Sequence, residues 1–209
     1  DGIGVTVNAT FGTDGKSAAN MLAQKALAQL VSNGVERFEV STPLGGFTFD
    51  KAAIAEMNKQ AAGAVTISIA PVTKLSNEAK ALIGNRPVYD LTVSNQKDGK
   101  DVNIASFGKG TVTLALAYKA TADEKTGNLF GVYVDENGKP QLITNSSCKN
   151  GRVTFNRSTL STYGVGYKAI TDFTDTTGHW AKDNIDFVVS RGLIDGTSAT
   201  TFAPDTAIT

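Results

Sequence analysis

Three residues near the N-terminus have the types and the order of a phosphate-binding loop. The stretch TFGTDGKSAAN places Gly15-Lys16-Ser17 between a predicted strand and a predicted helix, where backbone amides and a lysine can bind phosphate. Asp135-Glu136 in GVYVDE would supply the acidic motif of an ATPase. The loop also needs a glycine five positions before Gly15, and Thr10 stands there. The chain lacks the β/α alternation of a nucleotide-binding sheet, so we interpret the match as coincidence.

Other catalytic and metal-binding patterns are missing from the sequence. It contains neither G-x-S-x-G nor H-E-x-x-H, and it has a single histidine, His179, and a single cysteine, Cys148. One imidazole and one thiol cannot form a histidine triad or a multi-thiolate site, and one cysteine excludes an internal disulfide. Carboxylate pairs are brought together only by the fold, so the sequence does not test them. We predict a non-catalytic protein with no metal and no cofactor.

Charge and hydropathy limit the classes of partner that the chain is expected to bind. The 209 residues include 20 Lys plus Arg and 20 Asp plus Glu, a formal net charge of zero. Binding to nucleic acid or to an anionic membrane surface draws on an excess of basic groups, so we predict neither. No apolar run approaches the ~18 residues of a membrane span. Hydrophobic residues make up 41% of the chain, which supports a packed core.

Alternating apolar residues predict strands over most of the chain. They occur in DGIGVTVNAT, in ERFEVST and GFTFD, in AVTISIAPV, and repeatedly from PVYDLTVS to LSTYGVGYK. Turns at Glu136–Lys139 and Lys149–Gly151 separate paired strands. Short strands at this spacing are typical of an antiparallel sandwich or partial barrel.

Helical spacing is confined to short segments. We predict helices over Ser17–Val31, over residues 51–63 with Asp50 as the cap, and around Leu75–Gly84. The fold class is therefore mainly β: an antiparallel β-sandwich-like domain with two or three short helices over residues 1–168. A partial helical module follows over residues 169–209, because periodicity changes at Ala169–Asp172.

The C-terminal stretch DFTDTTGHWAKDNIDFVVSRGLIDGTSATTFAPDTAIT combines a helix with a loop that folds back on it. An apolar stripe over residues 180–192 predicts the helix, which ends at Gly192. Pro204, Asp205 and Thr209 would begin a second helix, with Thr209 as its cap. This order and spacing resemble the S-layer homology (SLH) module of bacterial cell-surface proteins. The matching residues are Phe173, Asp175, His179, Trp180, Ala181, Ile185, the turn from Arg191 to Gly196 with Gly192 inside it, Phe202, Pro204, Asp205, Ile208 and Thr209.

The resemblance implies a partner. SLH modules usually act in threes and dock onto pyruvylated secondary cell-wall polysaccharide attached to peptidoglycan. In the family, an Arg-Ala-Glu segment and a second helix follow the final threonine, and that arginine is a main ligand contact. We expect a truncated module at Thr209 that cannot bind the polymer alone. We interpret Trp180 as a buried residue that anchors the packing of the helix pair. The alternative is that its ring faces a glycan. His179 is interpreted as a surface neighbour.

The β region also resembles a known type of module. LIGNRPVYDLTV, FGKGTVTLALAYK, GVYVDENGKPQLI and RVTFNRSTLSTYGVGY are similar to a β-rich module that often precedes SLH repeats in large surface proteins and surface-bound polysaccharide hydrolases. The two resemblances imply a non-catalytic, extracellular structural module of a bacterial surface (S-layer-type) protein, linked to cell-wall anchoring.

Three alternatives stay open. The first is a subunit that self-assembles into an array or filament, a homo-oligomer in which a strand such as GVTVNAT adds to a neighbour's sheet. The second is a carbohydrate-binding module of a surface polysaccharide hydrolase, which needs a row of exposed aromatic rings. Its candidate residues are Tyr89, Tyr118, Tyr133, Tyr163 and Tyr167. The third is an enzyme fragment that uses Gly15-Lys16-Ser17 as a phosphate site.

Overall fold

Two β-sheets form the larger part of the chain in a computed structural model, which describes residues 2–12 and 14–207. The first sheet contains β1 (Gly4–Asn8), β3 (Arg37–Thr42), β4 (Gly45–Asp50), β8 (Val112–Ala117), β11 (Ser147–Lys149) and β12 (Arg152–Arg157). The second contains β2 (Ala18–Leu22), β5 (Val65–Pro71), β6 (Val88–Lys97), β7 (Lys100–Asn103), β9 (Leu129–Val134), β10 (Pro140–Ile143) and β13 (Thr162–Tyr167).

Nearly all neighbouring strands are antiparallel, as predicted. The strand order is β1-β3-β4-β8-β12-β11 in the first sheet and β10-β9-β13-β6-β5-β2 in the second, with β7 paired to β6. The pair β1 and β3 is parallel, with Val5 opposite Phe38 and Val7 opposite Val40. This exception arises because the chain leaves β1, forms β2 in the other sheet and then returns to lie beside β1.

The main core lies between the two sheets. Phe155 of β12 and Tyr163 of β13, which belong to different sheets, have ring centroids 5.4 Å apart. The alternation predicted for AVTISIAPV is confirmed, since Val65, Ile67 and Ile69 are all buried. The packed faces of both sheets therefore form one sandwich, the fold class predicted from the sequence.

Four α-helices accompany the sheets in the described part of the chain. They are α1 (Gln24–Ser32), α2 (Lys51–Gln60), α3 (Asn77–Ile83) and α4 (Lys182–Ser190). Buried Leu27, Ile54 and Met57 from α1 and α2 join the core between the sheets. Ala79 and Ile83 of α3 pack with Phe130 and other β9 residues in a second, smaller cluster. The second sheet is thus covered on both faces around β9.

The predicted helix over Ser17–Val31 is wrong in its first third. Residues 18–22 form β2, which pairs with β5 so that Ala18 lies opposite Ile69 and Leu22 opposite Val65. The helical spacing of Met21 with the later leucines carries no packing, because the Met21 side chain is 73% exposed. Pairing with an open sheet edge outweighs the weak intrinsic preference of such a short segment for a helix.

Asp50 joins α2 to the first sheet. Its Oδ1 accepts a hydrogen bond from the Ala53 amide at 2.7 Å, the predicted helix cap, and its Oδ2 accepts one from the Thr111 amide at 2.9 Å. A carboxylate serving two backbone donors satisfies groups that would otherwise lie partly buried without partners.

We expect Asp50→Ala to lower the free energy of unfolding by about 2 kcal/mol, because both amides lose their acceptor. Chemical denaturation of the two proteins measures this difference. Asp50→Ser is the matched control, since its hydroxyl can still cap Ala53 but does not reach both amides, and it should recover about half of the loss. Equal stability of the Asp50→Ala variant and the parent would contradict the double role of this carboxylate.

Candidate functional site

The phosphate-loop residues near the N-terminus do not form a phosphate site. Asp14 Oδ1 accepts hydrogen bonds from the backbone amides of Lys16 and Ser17, each at 3.0 Å, and Asp14 Oδ2 accepts one from Ser17 Oγ at 2.6 Å. These bonds lower the pKa of Asp14 to about 2, with the Ser17 hydroxyl as the largest cause. An internal carboxylate therefore occupies the amides that a phosphate would need. A strand, β2, follows the loop instead of a helix.

The residues predicted to form a site in the C-terminal segment come together in residues 172–207, called here the tail segment. Asp175 is hydrogen-bonded to the loop that folds back on the helix. Its carboxylate accepts hydrogen bonds from the Phe202 amide at 3.0 Å and from the Ala203 amide at 2.7 Å. These backbone bonds lower the pKa of Asp175, with the Phe202 amide as the first cause. The carboxylate thus holds the loop against the start of the segment.

Two aromatic residues pack beneath this loop. The rings of Phe173 and Phe202 lie 5.5 Å apart between centroids, and Phe173 is buried. Gly196 lies so close that a Cβ there would stand 2.4 Å from the Phe173 ring and 2.7 Å from the Thr201 carbonyl oxygen. Only glycine fits this contact without a shift of the loop. Gly192, with φ of 64°, ends α4 in the left-handed conformation that glycine favours.

His179 and Trp180 lie side by side before α4, but only one of them is held in place by polar contacts. His179 is half-buried, with Nε2 3.3 Å from Asp205 Oδ1 and Nδ1 accepting from the Ala181 amide at 3.2 Å. The Trp180 side chain is 86% exposed. The prediction of Trp180 as a buried packing anchor is therefore wrong for the described structure. The helix begins at Lys182, two residues after Trp180, because Ala181 adopts the cap position.

The remaining motif residues serve the fold. Ile185 of α4 is buried, Pro204 is partly buried, and Thr209 lies outside the described residues. Most of the predicted site residues therefore hold the helix and its return loop together. Trp180 is the large exposed side chain among them, and it is the one available to a ligand.

Ion pairs join the tail segment to the β region. Lys125 Nζ lies 2.7 Å from Asp172 Oδ1 and 3.4 Å from Asp186 Oδ2, while Lys182 Nζ lies 2.9 Å from an oxygen of each carboxylate. Hydrogen bonds from Lys125, and next from Lys182, lower the pKa of Asp172 from 3.8 to about 2. The Asp172 side chain is solvent-exposed, so the contribution of its two ion pairs is small and decreases with salt.

We expect a pH-dependent stability difference between the parent chain and Asp172→Asn. Because the folded-state pKa is lowered, the stabilisation by the carboxylate is present above about pH 4 and is lost as the pH falls through about 2. Melting curves at pH 5 should therefore show the parent to be slightly more stable, and the difference should shrink toward pH 2 and disappear below it. A difference that grows on acidification would contradict this ion pairing.

Arg191 lies in the turn that resembles the SLH motif, but no role was predicted for it from the sequence. Its side chain reaches into the β region and donates to the carbonyl oxygens of Gly127, Leu129 and Ser146 at 2.8, 2.8 and 2.9 Å. Local sequence does not predict its burial, because an arginine before the terminal glycine of a helix is commonly a solvated residue. Its contacts depend on three segments that are distant in sequence.

The five tyrosines do not supply a row of exposed stacking rings. Tyr89 and Tyr163 are buried, and Tyr118, Tyr133 and Tyr167 are partly buried against the core. A carbohydrate-binding surface built on these residues would need them to face solvent. The residues predicted for that alternative therefore belong to the packing of the sandwich.

Comparison with known proteins identifies the tail. Residues 172–209 match the family of the S-layer homology domain, as the sequence resemblance indicated, and a β-rich region precedes the match. Such domains bind secondary cell-wall polymers and indicate association with the bacterial cell surface. A search of curated proteins found no match.

Within residues 2–12 and 14–207, no group of three or more His, Cys, Asp or Glu side chains is arranged to hold a metal ion. The helices described for this chain include none with the length and apolar character needed to cross a membrane.

Proposed function

We propose that this chain is a non-catalytic, extracellular structural module of a bacterial surface protein, joined to cell-wall anchoring through its S-layer homology segment. The match of residues 172–209 to that domain carries the proposal. Residues 1–168 would form the structural module, and residues 169–209 would form the first part of the anchoring module. The partner would be secondary cell-wall polysaccharide linked to peptidoglycan.

The geometry of the tail segment supports two different roles for the motif residues, one in holding the loop and one in contacting a ligand. Asp175, Phe173 and Gly196 fix the return loop, whereas Trp180 is exposed beside the half-buried His179. An indole ring combines an apolar face with a polar N–H, and sugar rings offer apolar C–H faces together with hydroxyl groups. Trp180 would therefore stack on the polysaccharide while the other motif residues hold it in position.

Co-sedimentation with cell-wall sacculi tests the proposal. The polypeptide as its organism makes it is mixed with intact sacculi and with sacculi from which the secondary polysaccharide has been extracted with acid. We expect saturable binding to the intact sacculi and its loss after extraction. Equal binding to both preparations, or binding to neither, would overturn the assignment of the polysaccharide as partner.

A titration of the present chain with soluble wall glycan tests the structural role of the β region. If residues 1–168 are a spacer, substitution of Trp180 should remove whatever glycan binding the chain shows. Saturable binding that is unchanged in Trp180→Ala would place a glycan site in the β region and would favour the carbohydrate-binding alternative.

A second candidate function, self-assembly through strands, is favoured by the position of β1. This strand lies at the end of the first sheet, and its outer edge has no strand partner within the described residues. Exposed Ile3, Phe11 and Met21 lie along the same N-terminal part of the chain. Unpaired strand edges with apolar neighbours can accept a strand from another copy.

Sedimentation at several concentrations, with electron microscopy of the same samples, separates the two candidates. Polymers or regular sheets that disappear when Val7 is replaced by proline would support assembly through β1, because proline removes a backbone donor and disrupts the strand. A monomer at all concentrations would leave the spacer function as the role of the β region.

A further inference from the structure

A buried arginine connects the tail segment to the β region. Arg191, the residue after α4, is only 5% exposed. Its guanidinium donates to the carbonyl oxygens of Gly127, Leu129 and Ser146, and none of these acceptors lies in the tail. We call Arg191 with these three carbonyl groups the Arg191 junction.

The acceptors of this junction belong to a rigid part of the sandwich. Leu129 begins β9, which pairs with both β10 and β13. Ser146 is fully buried, donates from Oγ to the Ile143 carbonyl and accepts the Gly131 amide at 2.8 Å. At Leu129 and Ser146 the guanidinium therefore binds carbonyl groups of segments that are held by the strand pairing of β9 or by a hydrogen bond to it.

Two aromatic rings, one from α4 and one from β9, flank the guanidinium. Its central carbon lies 3.5 Å from the centroid of the Phe187 ring and 5.8 Å from that of Phe130. Planar stacking and a fork of diverging N–H donors are properties of arginine that lysine lacks. Burial lowers the pKa of Arg191 to about 10, so the group stays charged at neutral pH.

Breaking the Arg191 junction costs free energy, and the formed junction favours one arrangement of the tail segment on the β region. Within the described residues no carboxylate pairs with Arg191, so its charge is compensated by carbonyl dipoles and ring faces. Opening the contact would leave three carbonyl groups and the Phe130 ring without their covering group. A buried contact of this type has one favourable geometry, in contrast to the exposed Lys125–Asp172 ion pair beside it.

We propose that the Arg191 junction fixes the tail segment to the β region as one rigid unit, so that the orientation of the anchoring module follows that of the sandwich. The boundary at residues 168 and 169 then separates two sequence patterns but not two independently moving bodies. A force applied to the tail would pass directly into β9 and the second sheet. This inference goes beyond wall binding and does not depend on the identity of the anchoring partner.

Amide hydrogen exchange of the whole chain, followed by NMR, tests the proposal. Amides of α4 should exchange as slowly as those of β6, because α4 would open only together with the sandwich. Nitrogen-15 relaxation should give both elements the same rotational correlation time. Fast exchange of α4 beside a protected β6, or a shorter correlation time for the tail, would overturn the rigid unit.

Two substitutions then assign the effect to Arg191. In Arg191→Met the protection of α4 should fall by about 100-fold while that of β6 is retained, and Arg191→Lys should give a smaller loss. Lys125→Gln, the matched control, removes two ion pairs at the same contact but leaves Asp172 and Asp186 paired with Lys182, so it should change protection of α4 by less than about threefold. Unchanged protection in Arg191→Met would contradict the proposal. If that variant does not fold, the parent and Arg191→Lys measurements still decide it.

Discussion

In the polypeptide as its organism makes it, Trp180→Ala should weaken binding to intact cell-wall sacculi by roughly 10- to 30-fold and leave the fold unchanged. A tryptophan at the centre of a binding surface commonly contributes about 2 kcal/mol when it is truncated. Its side chain is 86% exposed in the described structure, so little packing is lost with it. We therefore expect the free energy of unfolding to change by less than about 0.5 kcal/mol.

The measurement compares binding isotherms and denaturation curves of the parent and the variant. Phe11→Ala is the matched control, because it removes another exposed aromatic ring that lies in the β region. It should leave wall binding unchanged. Trp180→Phe should recover part of the affinity, since it restores a ring without the indole N–H. A large loss of stability in Trp180→Ala would instead assign this residue to packing.

Local sequence rules predicted the sandwich well because they describe contacts between near neighbours. Strict alternation identified β5 correctly, with Val65 and Ile69 facing the core. The turn at Lys149–Gly151 is formed by Asn150 and Gly151 in the left-handed conformation, as an Asn-Gly hairpin requires. Asp50 caps α2 through the Ala53 amide. Each of these features depends on a few adjacent residues.

The features that were missed depend on residues far apart in sequence. Residues 18–22 form a strand because β5 offers an edge more than 40 positions later. The parallel register of β1 with β3 depends on where the chain returns after α1. Arg191 is buried because Gly127, Leu129 and Ser146 present their carbonyl groups at one place. No local periodicity in the sequence encodes these contacts.

Trp180 is a residue whose exposure, rather than burial, could not be predicted from the local sequence. A tryptophan at the start of an amphipathic helix is usually buried, because its large apolar surface favours removal from water. In this chain the helix starts at Lys182, and the face of α4 that is buried carries Ile185, Asp186 and Ser190. The position of the first helical turn, which sequence cannot set to within two residues, therefore decides whether the ring packs or stays exposed.

Phe49→Ala should cause the largest loss of stability, about 3–5 kcal/mol. Phe49 is fully buried in β4, and its ring lies 6.1 Å from those of Phe38 and Phe47 and 5.6 Å from that of Phe107. Truncation would remove the shared member of this aromatic cluster and leave a cavity that rigid strands cannot close. For a chain of this size the loss corresponds to a decrease in melting temperature on the order of 10 °C.

Thermal melting of the parent, Phe49→Ala and Phe11→Ala tests this expectation. The exposed Phe11 serves as the control for loss of a phenyl ring without a cavity, and its variant should melt within a few degrees of the parent. If the Arg191 junction joins the tail to the sandwich, α4 should lose protection from exchange to the same extent as β6 in Phe49→Ala. A tail that keeps its protection while the sandwich is weakened would show that the two parts unfold separately, because a shared unfolding step transmits the same loss of free energy to every amide that it exposes.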